Sequence, residues 1–235
     1  MKKRMKWLIP LSAVAIVAVV AAVALILHLS NPDPIVYEPG TVIYQDDQVT
    51  AKVVEPAAQR QTISGYFSLP PEEEAFTRHP VIATGTVRNI REVEISYVEP
   101  YIGPTSVVVT LFDFHVDEYL KNSSQTIGNK EVLTVGWPSS SYAYDEDCPE
   151  LYEGAEFLLF TLVTAELGVE DLANRKSYAE TWALYACYLA FEKTDSGYTL
   201  NPRFEKYLTE DQMSKASVDL VEIIKEKVAQ YQEVG

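Results

Sequence analysis

Histidine and cysteine are scarce, at three and two in 235 residues. Structural zinc needs about four such ligands at short spacing, and neither Cys148 nor Cys187 has a partner nearby in sequence. No metal and no other cofactor is therefore expected. His-Glu-x-x-His, Gly-x-Ser-x-Gly and the phosphate-binding loop are all missing. Beyond a hydrophobic run near the start, His79 and His115 are the only histidines. No catalytic residue is nominated, and the chain reads as a non-enzyme. Positive charge is also short, with 19 basic residues against 34 acidic. Such a surface repels phosphate backbones, which excludes nucleic acid as a partner.

Charge is absent altogether from Trp7 to Leu29, WLIPLSAVAIVAVVAAVALILHL, with His28 taken as neutral. As a helix this stretch is about 35 Å long, enough for a hydrocarbon core of roughly 30 Å. It exceeds a signal-peptide core. An Ala-x-Ala site, Ala22-Val23-Ala24, lies inside it with Leu25-Ile26-Leu27 following. It reads as an uncleaved transmembrane anchor. Lys2, Lys3, Arg4 and Lys6 precede it and hold the amino terminus in the cytoplasm, placing the rest outside. Taking those four from the 19 basic residues leaves 15 against 34 acidic, a net charge of −19 outside the tip.

The expected organisation is a cytoplasmic tip (1–6), the anchor (7–29) and a proline-rich spacer (30–48). A β-barrel domain (49–206) and a carboxy-terminal helix (207–235) follow. Strands are expected at 49–54 and 62–69, with a short helix at 70–78 whose Glu72, Glu73 and Glu74 suit the helix dipole. Further strands are expected at 81–87, 91–98, 106–120, 131–137, 155–163 and 181–193, with a hairpin partner at 198–200. The strongest is 106–120, where Val108, Thr110, Phe112, Phe114 and Val116 alternate onto one face and Asp113, His115 and Asp117 onto the other. At the end, Thr209 and Gln212 fit a capping box. Ser217, Leu220, Val221, Ile224, Val228 and Tyr231 then form one stripe, to pack on the sheet or to bind a partner.

The candidate binding surface is the loop 139–153. It offers Tyr142, Tyr144 and Tyr152 beside Asp145, Glu146, Asp147 and Glu150. Aromatic rings with carboxylates suit a sugar or a peptide, and long loops in a compact domain tend to carry function. Cys148 lies in this loop. Outside the cytoplasm it is free to join Cys187 in a disulfide, the alternative being a buried thiol at Cys187 within a strand.

Two segments carry a resemblance: Val116-Asp117-Glu118-Tyr119-Leu120-Lys121, and Leu151-Tyr152-Glu153-Gly154-Ala155-Glu156-Phe157-Leu158-Leu159-Phe160. With the order of elements between about 70 and 193, they resemble small exported bacterial domains with an OB-like barrel. They are distantly similar to netrin-like domains, which include the tissue inhibitors of metalloproteases. The resemblance implies a barrel with Gly154 at a turn and Phe157 to Phe160 in the core. Asn122 replaces the glycine expected after Lys121, and the zinc-chelating amino-terminal cysteine of the inhibitors has no counterpart. No inhibitory residue carries over.

The fold expected is thus mainly β: a small OB-like barrel with a carboxy-terminal amphipathic helix, behind one transmembrane helix. The function expected is that of an extracytoplasmic binding or accessory domain on the cell membrane. One alternative is a structural or assembly subunit of an envelope complex, meeting an envelope or membrane protein through the terminal helix. A lesser one is an envelope hydrolase using paired carboxylates.

Overall fold

Period-two patterning dominates the body, and strands follow from it. The computed structural model describes residues 37–58, 61–62, 69–99, 102–144, 148–166 and 178–232. The tip and the proposed anchor fall outside these residues. Among the described residues no helix is long and apolar enough to cross a membrane.

In chain order the strands are β1 Val42–Gln45, β2 Val49–Val54, β3 Gln61–Thr62, β4 Val81–Glu99, β5 Gly103–Asn122 and β6 Val132–Trp137. They continue with β7 Ala143–Tyr144, β8 Glu156–Val163, β9 Thr181–Trp182, β10 Ala190–Thr194 and β11 Gly197–Tyr198. The helices are α1 Glu72–Arg78, α2 Ala186–Leu189, α3 Glu210–Met213 and α4 Ala216–Gln232. The fold is mainly β. Nine strands form one sheet in the order β1-β2-β4-β5-β6-β9-β8-β10-β11, and β8 also pairs with β4. The sheet therefore closes partly into a ring, β4-β5-β6-β9-β8 and back to β4. Its junctions are antiparallel except β6 with β9.

Strands 81–87 and 91–98 prove to be one strand, β4. The join is a bulge. Arg88 pairs with Asp113 and Arg91 with Leu111, so β4 holds one residue more than β5 here. Asn89 absorbs it with φ 52°, a left-handed value that asparagine tolerates better than most residues. One extra residue flips every side chain beyond it. Before the bulge Val87 sits opposite Phe114. After it, Glu92 sits opposite Thr110 and Arg91 opposite Leu111. Two hydrophobic cores result. The larger holds Val87, Phe112, Phe114, Leu133, Val135 and Phe157, with α1, α2 and α4 packed on it. The smaller joins Val93, Ile95 and Leu111 to β2 and to Tyr178 and Trp182.

Several expectations need correction. The spacer expected over 30–48 ends early, because Val42–Gln45 pairs with β2. Of the strand expected at 62–69, Thr62 lies in β3, and 63–68 lie outside the described residues. The strand expected at 181–193 is three elements, with the helical turn α2 between β9 and β10. Residues 183–190, ALYACYLA, are apolar almost throughout, so no period separates strand from helix.

The terminal helix breaks into α3 and α4, and the capping box forms at α3. The Gln212 amide donates to Thr209 Oγ1 at 3.2 Å, and the Thr209 amide to Gln212 Oε1 at 3.1 Å. Leu220, Ile224 and Val228 of the stripe are buried in the larger core, while Ser217 is exposed. The stripe packs within the domain, so a partner on this helix would meet its polar side.

Candidate functional site

Cross-strand pairing lines up one row of side chains. Glu92 of β4 faces Thr110 of β5, and Thr110 faces Trp137 of β6. On β5 and β6 this row continues the face that carries Phe112, Phe114, Leu133 and Val135 into the larger core. It is the last layer at one mouth of the ring. A cleft of about 210 Å³ lies there, bordered by this row, Ile90, Ser139 to Ser141 and Pro149 to Leu151.

Glu92 is the unusual member. It is 8% exposed. Its Oε1 accepts from Thr110 Oγ1 and from the Ser141 amide, both at 3.0 Å. Its Oε2 is buried with no hydrogen-bond partner among the described residues. A buried carboxylate oxygen left unpaired is costly, which makes it conspicuous.

The loop over the cleft is held from three sides. The Ala57 amide donates to Ser141 Oγ at 2.9 Å, the Tyr142 hydroxyl donates to the Glu55 carbonyl at 2.8 Å, and β3 pairs in parallel with β7. Cys148 and Cys187 form a disulfide, with sulfurs 2.05 Å apart, tying the loop to α2. Glu153 accepts from the Ile90 amide at 2.7 Å and the Asn89 amide at 3.2 Å, which binds the loop's far end to the bulge.

The residues nominated from sequence are dispersed. Glu150 borders the cleft. Tyr142 spends its hydroxyl on Glu55. Tyr152 is half-exposed and donates to Glu192 Oε1 at 2.6 Å, beside a shallow groove with Lys193 and Asp195. That carboxylate raises the Tyr152 phenol above its ordinary pKa, by the hydrogen bond first and by charge second. Tyr144 lies in β7, while Asp145, Glu146 and Asp147 fall outside the described residues. Sequence reasoning missed Glu92, Thr110 and Trp137 as a group. In REVEISYV, Glu92 alternates with Val93 and reads as a solvent-facing residue. The only signal against that was Asn89, a residue suited to a bulge.

Comparison with known proteins returns no match to a family model, to a curated protein or to a solved structure. Function is therefore argued from the site itself. A second buried polar centre lies among the helices. His79 is 1% exposed, edge-on to Phe160 and Tyr185. Its Nδ1 lies 2.7 Å from the Ala75 carbonyl oxygen. The carbonyl can only accept, so Nδ1 carries the proton. Burial lowers its pKa to about 4, helped by Lys121 and Arg78 and opposed by the Ala75 contact. Lys121 donates to the Phe76 carbonyl at 2.5 Å and closes the end of α1. Rings cover this centre, and it borders none of the clefts described above.

Proposed function

We propose that the chain is a single-pass membrane protein whose extracytoplasmic domain binds a ligand in the cleft at the ring's mouth. The ring supports the OB-like reading: its first three strands run in order, the fifth lies between third and fourth, and the single parallel junction joins third to fifth. OB barrels use such surfaces and the adjoining loops for binding. The resemblance to small exported bacterial domains points the same way, and the uncharged run from Trp7 to Leu29 supplies the anchor. The observation that carries the reading is the cleft itself, where a buried carboxylate, hydroxyls and apolar walls converge under a loop fixed at both ends.

Two measurements test it. A reporter active only outside the cytoplasm, fused after Gly235, lights up under this topology; a silent reporter in a stable fusion overturns it. A photo-crosslinking residue is then placed at Glu150, on the cleft rim, or at Val218, 74% exposed on α4. In native membranes the Glu150 position should capture a ligand that the Val218 position does not. Specific capture from Val218 alone would favour the assembly subunit.

A further inference from the structure

Resting on the reading of a binding cleft, we infer that the cleft takes a protonated alkyl amine or guanidinium group, with the Glu92 carboxylate as its counter-ion. Among the described residues lining it, the charged ones are Glu92 and Glu150, and no lysine, arginine or histidine joins them. Both partners of Glu92 Oε1 are donors, and Oε2 has none among the described residues. The neighbouring cation is committed elsewhere. The bulge turns Arg91 to the opposite face, where Nη1 lies 3.0 Å from Asp113 Oδ1 and the guanidinium sits 4.6 Å from the centre of the Tyr37 ring.

The walls suit the rest of such a group. Ile90, Pro149 and Leu151 offer apolar surface to an alkyl stem, and Trp137 adds an indole, the ring that cations favour most. At about 210 Å³ the cleft is smaller than sites for drug-sized ligands, which run to roughly 300–1,000 Å³. It fits one side-chain-sized group. That amine belongs either to a lysine or arginine side chain of a polypeptide or to a free polyamine, and the test separates the two.

The test uses the full chain in membranes and three diazirine probes of equal length: an alkylammonium, an alcohol and a carboxylate. Labelled peptides are mapped by mass spectrometry. The ammonium probe should label residues 90–92, 137–141 or 149–151 about tenfold or more over the other two, the order expected for one charge-assisted hydrogen bond. n-Butylguanidinium should compete and butyrate should not. Glu92→Gln should lose the preference while melting as the parent does.

Equal labelling by ammonium and alcohol, or a preference that survives in folded Glu92→Gln, overturns the inference. If Glu92→Gln does not fold, competition on the unaltered chain decides. An acetylated lysine tripeptide competing better than spermidine names a polypeptide as the source, and the reverse names a polyamine. Failure of both overturns the inference. If all three probes label the cleft alike, it binds without regard to charge and only this inference falls. If none labels it, the binding reading falls too.

Discussion

His79 and Glu92 are both buried in this domain, and they sit in opposite kinds of place. His79 is walled in by Phe160 and Tyr185, with one ring nitrogen on the Ala75 carbonyl and Nε2 on nothing among the described residues. Glu92 is nearly as deep, but it borders a cleft and takes two donors on one oxygen. A histidine escapes the cost of burial by staying neutral. A carboxylate beside a cleft can have its missing partner delivered by a ligand. A buried polar group sealed by rings is thus a tolerated part of the packing, whereas one beside a cleft lies where a ligand can supply its missing partner.

The largest effect is expected from opening the seal. Phe160 is 1% exposed and packs edge-on against Phe76 at 5.3 Å and Phe191 at 6.2 Å. Phe160→Ala should cost about 3–5 kcal/mol, the range for a buried aromatic cut to alanine. Denaturant melts would show it. If the variant still folds, water reaches His79 and its titration, followed by NMR, should move from about 4 back toward the ordinary value of 6.5. A His79 that stays put would mean that Phe160 is not its seal.

Acid supplies the next test. The folded-state pKa of His79 lies below its unfolded value, so the unfolded chain takes up the proton more readily. The neutral imidazole's contribution is fully present above pH 6.5 and is lost as pH falls from there through about 4. The full loss is on the order of 3 kcal/mol. His79→Leu should flatten the part of the stability–pH curve between those values. An unchanged curve in a folded His79→Leu protein would show that His79 is not walled off as described.

How much of this could be read from the chain follows the same division. The apolar alternation of Phe112 and Phe114, the apolar block before Val163 and the capping box at Thr209 are local patterns, and the structure carries each. The bulge at Asn89 is one residue of extra length, and it shows only when β4 is laid against β5. Glu92 therefore carries no signal of its own in the sequence, and the tyrosine-rich loop above it attracts the functional reading instead. The turn α2 was hidden for a different reason, since a run buried on every side has no period. Closure of the ring rests on β9, two residues long, which no window over the sequence resolves.

That makes the bulge a third point of attack. Asn89 holds φ 52° and donates Nδ2–H to Asp113 Oδ2 at 2.9 Å. Asn89→Val puts a β-branched residue into a left-handed conformation and should cost about 1–2 kcal/mol. Asn89→Gly should cost less, because glycine accepts that φ without strain. If the two variants melt alike, backbone conformation is not what fixes asparagine there, and the side-chain bond to Asp113 must dominate.

The smallest effect on stability should come from the residue with the largest effect on binding. Glu92→Gln keeps an acceptor for Thr110 and Ser141 and exchanges the buried oxygen that has no partner among the described residues for an uncharged amide NH2. The loss of stronger, charge-assisted bonds and the relief of an unpaired buried charge oppose each other. The net change in stability should stay within about 1 kcal/mol, readable as a small shift in melting temperature. A fall of several kcal/mol would mean that the carboxylate holds the cleft together, and the contrast with His79 would collapse into two structural groups. A neutral or slightly stabilised variant that no longer prefers the ammonium probe would make Glu92 a charge kept for its ligand.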